Sequence, residues 1–162
     1  MDRAARLGKH DVLKWLHHNR TEGCASAAMD NAAEIGDLAA LRWLHKHRSE
    51  VCTVGAIDAA AANGHLDVVR WLVKHRREGC SVRAIDEAAS RDRLKVIKWL
   101  HDVLEANCTT AAMDSAAEYG HLKVVTWLHE NRSEGCTERA MDAAAGNGHL
   151  DIVVYLMMNR SE

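Results

Sequence analysis

Trp15, Trp43, Trp71, Trp99 and Trp127 stand 28 residues apart, and Tyr155 takes the next place in the same register. Cys24, Cys52, Cys80, Cys108 and Cys136 keep that interval. So do Asp2, Asp30, Asp58, Asp86, Asp114 and Asp142, and so does an alanine pair running from Ala4-Ala5 to Ala144-Ala145. A fixed period of this length constrains the fold more than composition does. Each unit is one supersecondary element, too small to bury its apolar face alone, and stacked neighbours complete the core. The register divides the chain into units 1–24, 25–52, 53–80, 81–108, 109–136 and 137–162, a single repeat domain without linker or low-complexity tract.

The units are helical. The chain has 26 Ala, no Pro and no Phe, whereas strands deplete Ala and turns recruit Pro. Ala140, Met141, Ala144 and Ala145 form a stripe of mostly small residues on a 3.6-residue period, which lets a neighbouring helix approach closely. The second helix of a unit runs from His65 to Arg76, and Leu66, Val68, Val69, Trp71 and Leu72 give it a wide apolar face. This places the Trp column in the inter-repeat core, where Trp99→Ala is expected to cost about 3–5 kcal/mol. Arg20, Arg48, Arg76, Arg132 and Arg160 end the second helices, where a cation suits the helix dipole. Gly8, Gly36, Gly64, Gly120 and Gly148 separate the helices of a pair as left-handed terminators, and Asp92 takes the remaining place. Thr53, Ser81, Thr109 and Thr137 are natural N-caps for the first helices, with Ala25 the exception. The preceding Cys then forms a hydrophobic staple with the residue five on, Cys52 with Ile57 and Cys108 with Met113.

The segment from Ala60 to Leu72 (AAANGHLDVVRWL) resembles the centre of an ankyrin repeat, A-A-x-x-G-H-x-x-V-V-x-L-L, and Ala116–Leu128 and Ala144–Leu156 match similarly. The resemblance implies an all-α fold: an α-solenoid of six stacked helix-turn-helix repeats in a right-handed array. It also shows two departures. The family's repeat has 33 residues and opens its first helix with T-P-L-H, whereas here the period is 28 and the tetrad reads Ala-Ala-Met-Asp (27–30) or Arg-Ala-Met-Asp (139–142). The missing residues fall where the family carries its β-hairpin fingers, so a finger-less array is expected.

Candidate chemical groups read mostly as scaffold. Helices stack roughly 8–10 Å apart, and a disulfide needs Cα atoms within about 7 Å, so neighbouring Cys should not bridge. No C-x-x-C is present for structural zinc. Unpaired buried thiols suit a reducing compartment, cytoplasm or nucleus. His129-Glu130 begins an H-E-x-x-H pattern, but Ser133 stands where the second ligand belongs. No metal or cofactor is therefore expected. Asp30, Asp58, Asp86, Asp114 and Asp142 are flanked by apolar residues and need hydrogen-bond partners. Those partners are either a loop N–H of the neighbouring unit or the Trp indole N–H. No nucleophile, base and orienting group stand in a recognisable pattern, so an enzyme is not expected.

The varied positions are the candidate surface. On the first helices they form i, i+4, i+7 columns, and the resemblance implies that this face lines a concave groove where protein partners bind. Arg83, Glu87, Arg91, Ser115, Tyr119 and Arg139 are the expected contacts, because Tyr and Arg often carry interface energy. With 21 basic and 23 acidic residues, a nucleic-acid partner is not expected, and no apolar run reaches the roughly 18 residues of a membrane span. A monomer is expected, with end-to-end association open to it. The alternative to recognition is a structural spacer within a longer array, because polar capping repeats are missing and Met157 and Met158 make an apolar end. Thiol-based sensing is the third reading.

Overall fold

The computed structural model describes residues 1–19, 26–47 and 52–159. Cys24, Ala25, Arg20, Arg48 and Arg160 lie outside the described residues. The described residues form twelve helices and no strand: α1 (Asp2–Arg6), α2 (His10–Asn19), α3 (Ala27–Glu34), α4 (Leu38–His47), α5 (Val54–Asn63), α6 (Leu66–His75), α7 (Arg83–Ser90), α8 (Leu94–Leu104), α9 (Thr110–Glu118), α10 (Leu122–Asn131), α11 (Glu138–Gly146) and α12 (Leu150–Asn159). They group into two compact units, Met1–Ser81 and Val82–Glu162, each with three helix pairs. Loops 76–82, 105–109 and 132–137 carry no hairpin.

In the first unit α1, α3 and α5 lie side by side; in the second, α7, α9 and α11 do. The alanines explain the close approach. Ala32, Ala33, Ala60 and Ala61 are fully buried in one unit, as are Ala88, Ala89, Ala116, Ala117 and Ala144 in the other. Neighbouring second helices, with larger side chains, approach far less closely. Each first helix ends in a short turn that folds the second helix back on it. Gly36 and Gly120 illustrate why the turn is glycine: both have positive φ, and an added Cβ would lie 2.5 Å from the ring of His65 and 2.6 Å from that of His149. Asp92 takes the same left-handed conformation, φ 58°, with a side chain.

The core runs along the leucines, and the Trp column lies at its edge. Leu44, Leu72, Leu100 and Leu128 are at most 1% exposed, but Trp43, Trp99 and Trp127 are half-buried and Trp15 is 60% exposed; only Trp71 is buried. Adjacent residues of a helix point about 100° apart, so the leucine takes the centre and the indole leans sideways. There it meets the preceding repeat: His17 stands edge-on to Trp43 at 5.1 Å, His45 to Trp71 at 5.2 Å and His101 to Trp127 at 5.3 Å. His129 meets Tyr155 the same way. The histidines that follow Trp-Leu are thus rungs between repeats.

The aspartate column finds the first of its two expected partners, the loop N–H of the next repeat. Asp30 accepts the Thr53 backbone N–H at 2.9 Å and its hydroxyl at 2.8 Å. Asp58 does so with Ser81, Asp86 with Thr109, and Asp114 with Thr137 at 2.8 and 2.7 Å. The hydroxyls of Thr53, Thr109 and Thr137 also accept N–H bonds from Gly55, Ala111 and Arg139, capping α5, α9 and α11. One hydroxyl therefore starts a helix and clasps the preceding repeat. The Ser81 hydroxyl likewise donates to Asp58, and α7 begins two residues on, at Arg83, with Val82 in the cap place. Asp142, in the last repeat, is exposed.

The terminal arginines do more than face a helix dipole. Arg132 is the extended C-cap of α10; its guanidinium pairs with Glu134 through two hydrogen bonds and donates to Nδ1 of His101, 3.2 Å away in the preceding repeat. That pairing holds Glu134 below the usual carboxylate range. Leu104 stands where the arginine would be, and α8 runs on through it to a left-handed Glu105.

Candidate functional site

Three first helices, α7, α9 and α11, bring the expected contact residues onto neighbouring supports. Arg83 and Glu87 lie one turn apart on α7, and the arginine donates through Nε at 2.8 Å and Nη2 at 2.6 Å to Glu87 Oε1. Arg139, on α11, donates at 2.9 Å to Glu118 on α9, bridging two repeats. Ser115 is half-buried, and its carbonyl accepts the backbone N–H of Tyr119. Arg91 is exposed at the C-terminal end of α7. Tyr119 is the C-cap of α9 and remains 57% exposed, its ring 6.4 Å from the ring of His121.

The structure brings Arg83 to Glu87 and Arg139 to Glu118 and leaves Tyr119 apart from both pairs. Glu118 and His121 are the residues that the expected contact set lacked. No local spacing signals Glu118, because its partner lies 21 residues on; His121 reads only as a regular member of its column. Some varied positions turn out to be connectors. Asn31 donates to the carbonyl of Asp2, while Asn63 and Asn147 donate to those of Glu34 and Glu118, the terminal acceptors of α3 and α9 in the preceding repeat. His121 reaches the Ser90 carbonyl likewise, at 3.0 Å.

A model for ankyrin repeats in many copies matches residues 57–101 and 113–157, more than half of the chain. The chain belongs to the ankyrin repeat family. Its all-α repeats stack in each unit as in an ankyrin-type α-solenoid, although the period is 28 and the described loops lack fingers. Ankyrin repeats are generally protein–protein interaction modules, and the family is typically non-enzymatic. No curated protein matches the chain significantly. Among the described residues, no helix is long and apolar enough to cross a membrane, and no three His, Cys, Asp or Glu residues are grouped to hold a metal.

The thiols divide in two. Cys52 and Cys108 are buried, and burial pushes both up to about 11. Cys80 and Cys136 are half-buried rather than enclosed as the staple pattern implies; burial raises Cys80 as well, with the charge of Asp58 adding to it. All four are free. Because the thiolate is the reactive form, a bulky disulfide reagent at pH 8 should label Cys80 and Cys136 first. Cys52 and Cys108 should wait for unfolding. Mass spectrometry of a labelling time course checks the order, and equal rapid labelling of all four would contradict it.

Proposed function

We propose that this ankyrin-repeat chain is a non-enzymatic recognition module whose protein partner lies across α7, α9 and α11. Arg83, Glu87, Arg91, Ser115, Tyr119 and Arg139 are its contacts. The observation that carries this reading is Tyr119: a large ring, 57% exposed on a helix whose other varied positions are small or charged. The two arginine–glutamate pairs hold long side chains in defined positions on the same three helices, which lowers the ordering cost of an interface. The test is a photo-crosslinking residue at position 119, compared with one at the exposed position 95 on α8, followed by affinity measurements on the captured protein. Tyr119→Ala should weaken binding by about 2 kcal/mol or more with an unchanged melting curve. Unchanged affinity in a Tyr119→Ala, Arg83→Ala double variant would favour the spacer reading.

That second reading, a structural segment of a longer array, draws on α12. Leu150, Met157 and Met158 are 72%, 67% and 79% exposed, an apolar face of the kind that another repeat covers. Thiol sensing is the weaker third. The raised thiols of Cys52 and Cys108 run against the lowered pKa that such sensors use.

A further inference from the structure

We infer that the second-helix face of residues 1–81 is a separate docking surface, and that its occupant is an extended acidic peptide segment. Lys14, Arg42 and Arg70 each precede the Trp of their repeat, and His18, Lys46 and Lys74 follow four residues later. A spacing of i, i+4 puts each pair on one helical face, and all six side chains are exposed. None of them takes part in the ion pairs found among the described residues. In residues 82–162 the same positions read Lys98 and Asp102, Thr126 and Glu130, Val154 and Met158. The basic stripe is thus a property of the first three repeats alone.

A stripe of this kind could simply be solvated, but the relief beneath it gives it a second feature. An open groove runs between α4 and α6, with Leu38, Leu66 and Trp71 as its apolar lining and Arg42, Arg70 and Lys74 along it. Asp67 and His75 complete the wall. Trp71 is held there by stacking on His75 at 4.5 Å and by the edge of His45 at 5.2 Å. An apolar trough beside three cations and a single carboxylate, Asp67, fits a peptide that alternates carboxylates with apolar or small residues.

The repeat sets the spacing. Closely packed helices lie roughly 8–10 Å apart, the second helices of neighbouring repeats stand no closer than the first ones, and an extended chain rises about 3.3 Å per residue. A carboxylate at every third residue, about 10 Å apart, is therefore the shortest spacing that meets one basic pair per repeat. Phosphates of a duplex strand recur about every 3.4 Å of helix axis, out of step with one basic pair per repeat. The occupant is accordingly a peptide, and its binding is independent of the Tyr119 face.

The test uses the whole chain and a fluorescein-labelled 12-residue peptide with Glu at every third position, read by fluorescence anisotropy. A second peptide of the same composition has its glutamates contiguous. The spaced peptide should bind saturably and more tightly than the contiguous one, and added salt should weaken it. An Arg42→Glu, Arg70→Glu double variant should lose about tenfold or more in affinity, with an unchanged circular-dichroism melt; Lys98→Glu should change nothing. Because the substituted side chains are exposed, loss of folding does not confound the result. Absent binding, equal binding of the two peptides or an unaffected double variant would overturn the inference. So would tighter binding of a single-stranded DNA 12-mer or of phosphatidylserine vesicles.

Discussion

Asp114→Ala is expected to destabilise the chain by about 3 kcal/mol in equilibrium urea unfolding. The carboxylate is 6% exposed and accepts both the N–H and the hydroxyl of Thr137. Hydrogen bonds to a charged acceptor contribute about 1.5–3 kcal/mol each, and the half of the clasp left behind is partly open to water because Thr137 itself is exposed. Thr137→Ala should cost less, about 1–2 kcal/mol, since it removes the cap of α11 and one arm of the clasp but keeps the backbone N–H on Asp114. The two losses share a bond, so the double variant should fall short of their sum. Asp142→Ala, at the exposed counterpart in the last repeat, should stay within about 0.5 kcal/mol. Equal losses at Asp114 and Asp142 would refute the clasp as the reason for the aspartate column.

Much of the scaffold was legible because its chemistry is local. The 28-residue interval is written along the chain, the Ala stripes and Val-Val-x-Trp-Leu faces carry the helical period, and Thr53, Thr109 and Thr137 signal their helix starts within three residues. What was not legible joins residues far apart in sequence. Asp114 and Thr137 are 23 positions apart, and either a loop N–H or an indole would have satisfied the carboxylate. The Asn63 and Asn147 amides stand in columns that look like surface drift, yet they hold carbonyls of the preceding repeat. In the candidate site the Arg83–Glu87 pair follows from i, i+4 spacing, but the Arg139–Glu118 bridge depends on how closely α9 and α11 pack. The alanines permit that closeness without stating which long side chains will meet across it.

Leu100→Ala should cost about 2–5 kcal/mol, and Trp99→Ala should cost less, about 1–2 kcal/mol. Size alone argues the opposite order, since the indole is far larger than the isobutyl group, and the repeated Trp marks the second helix more plainly than its leucine does. Burial reverses it. Leu100 is 0% exposed and shares the core with Val96 and Ile97, both buried on the same helix. Its truncation leaves a void in close-packed surroundings that relax only partly. Trp99 is half-buried, so much of its ring area is in water before the substitution, and its loss opens no enclosed cavity. The cleanest measurement is urea unfolding of both variants followed by far-ultraviolet circular dichroism, which does not depend on the lost fluorophore. A shared denaturant slope lets the midpoints be compared directly. If Trp99→Ala unfolds at the lower urea concentration, the indoles and not the leucines are the inner column of the repeat.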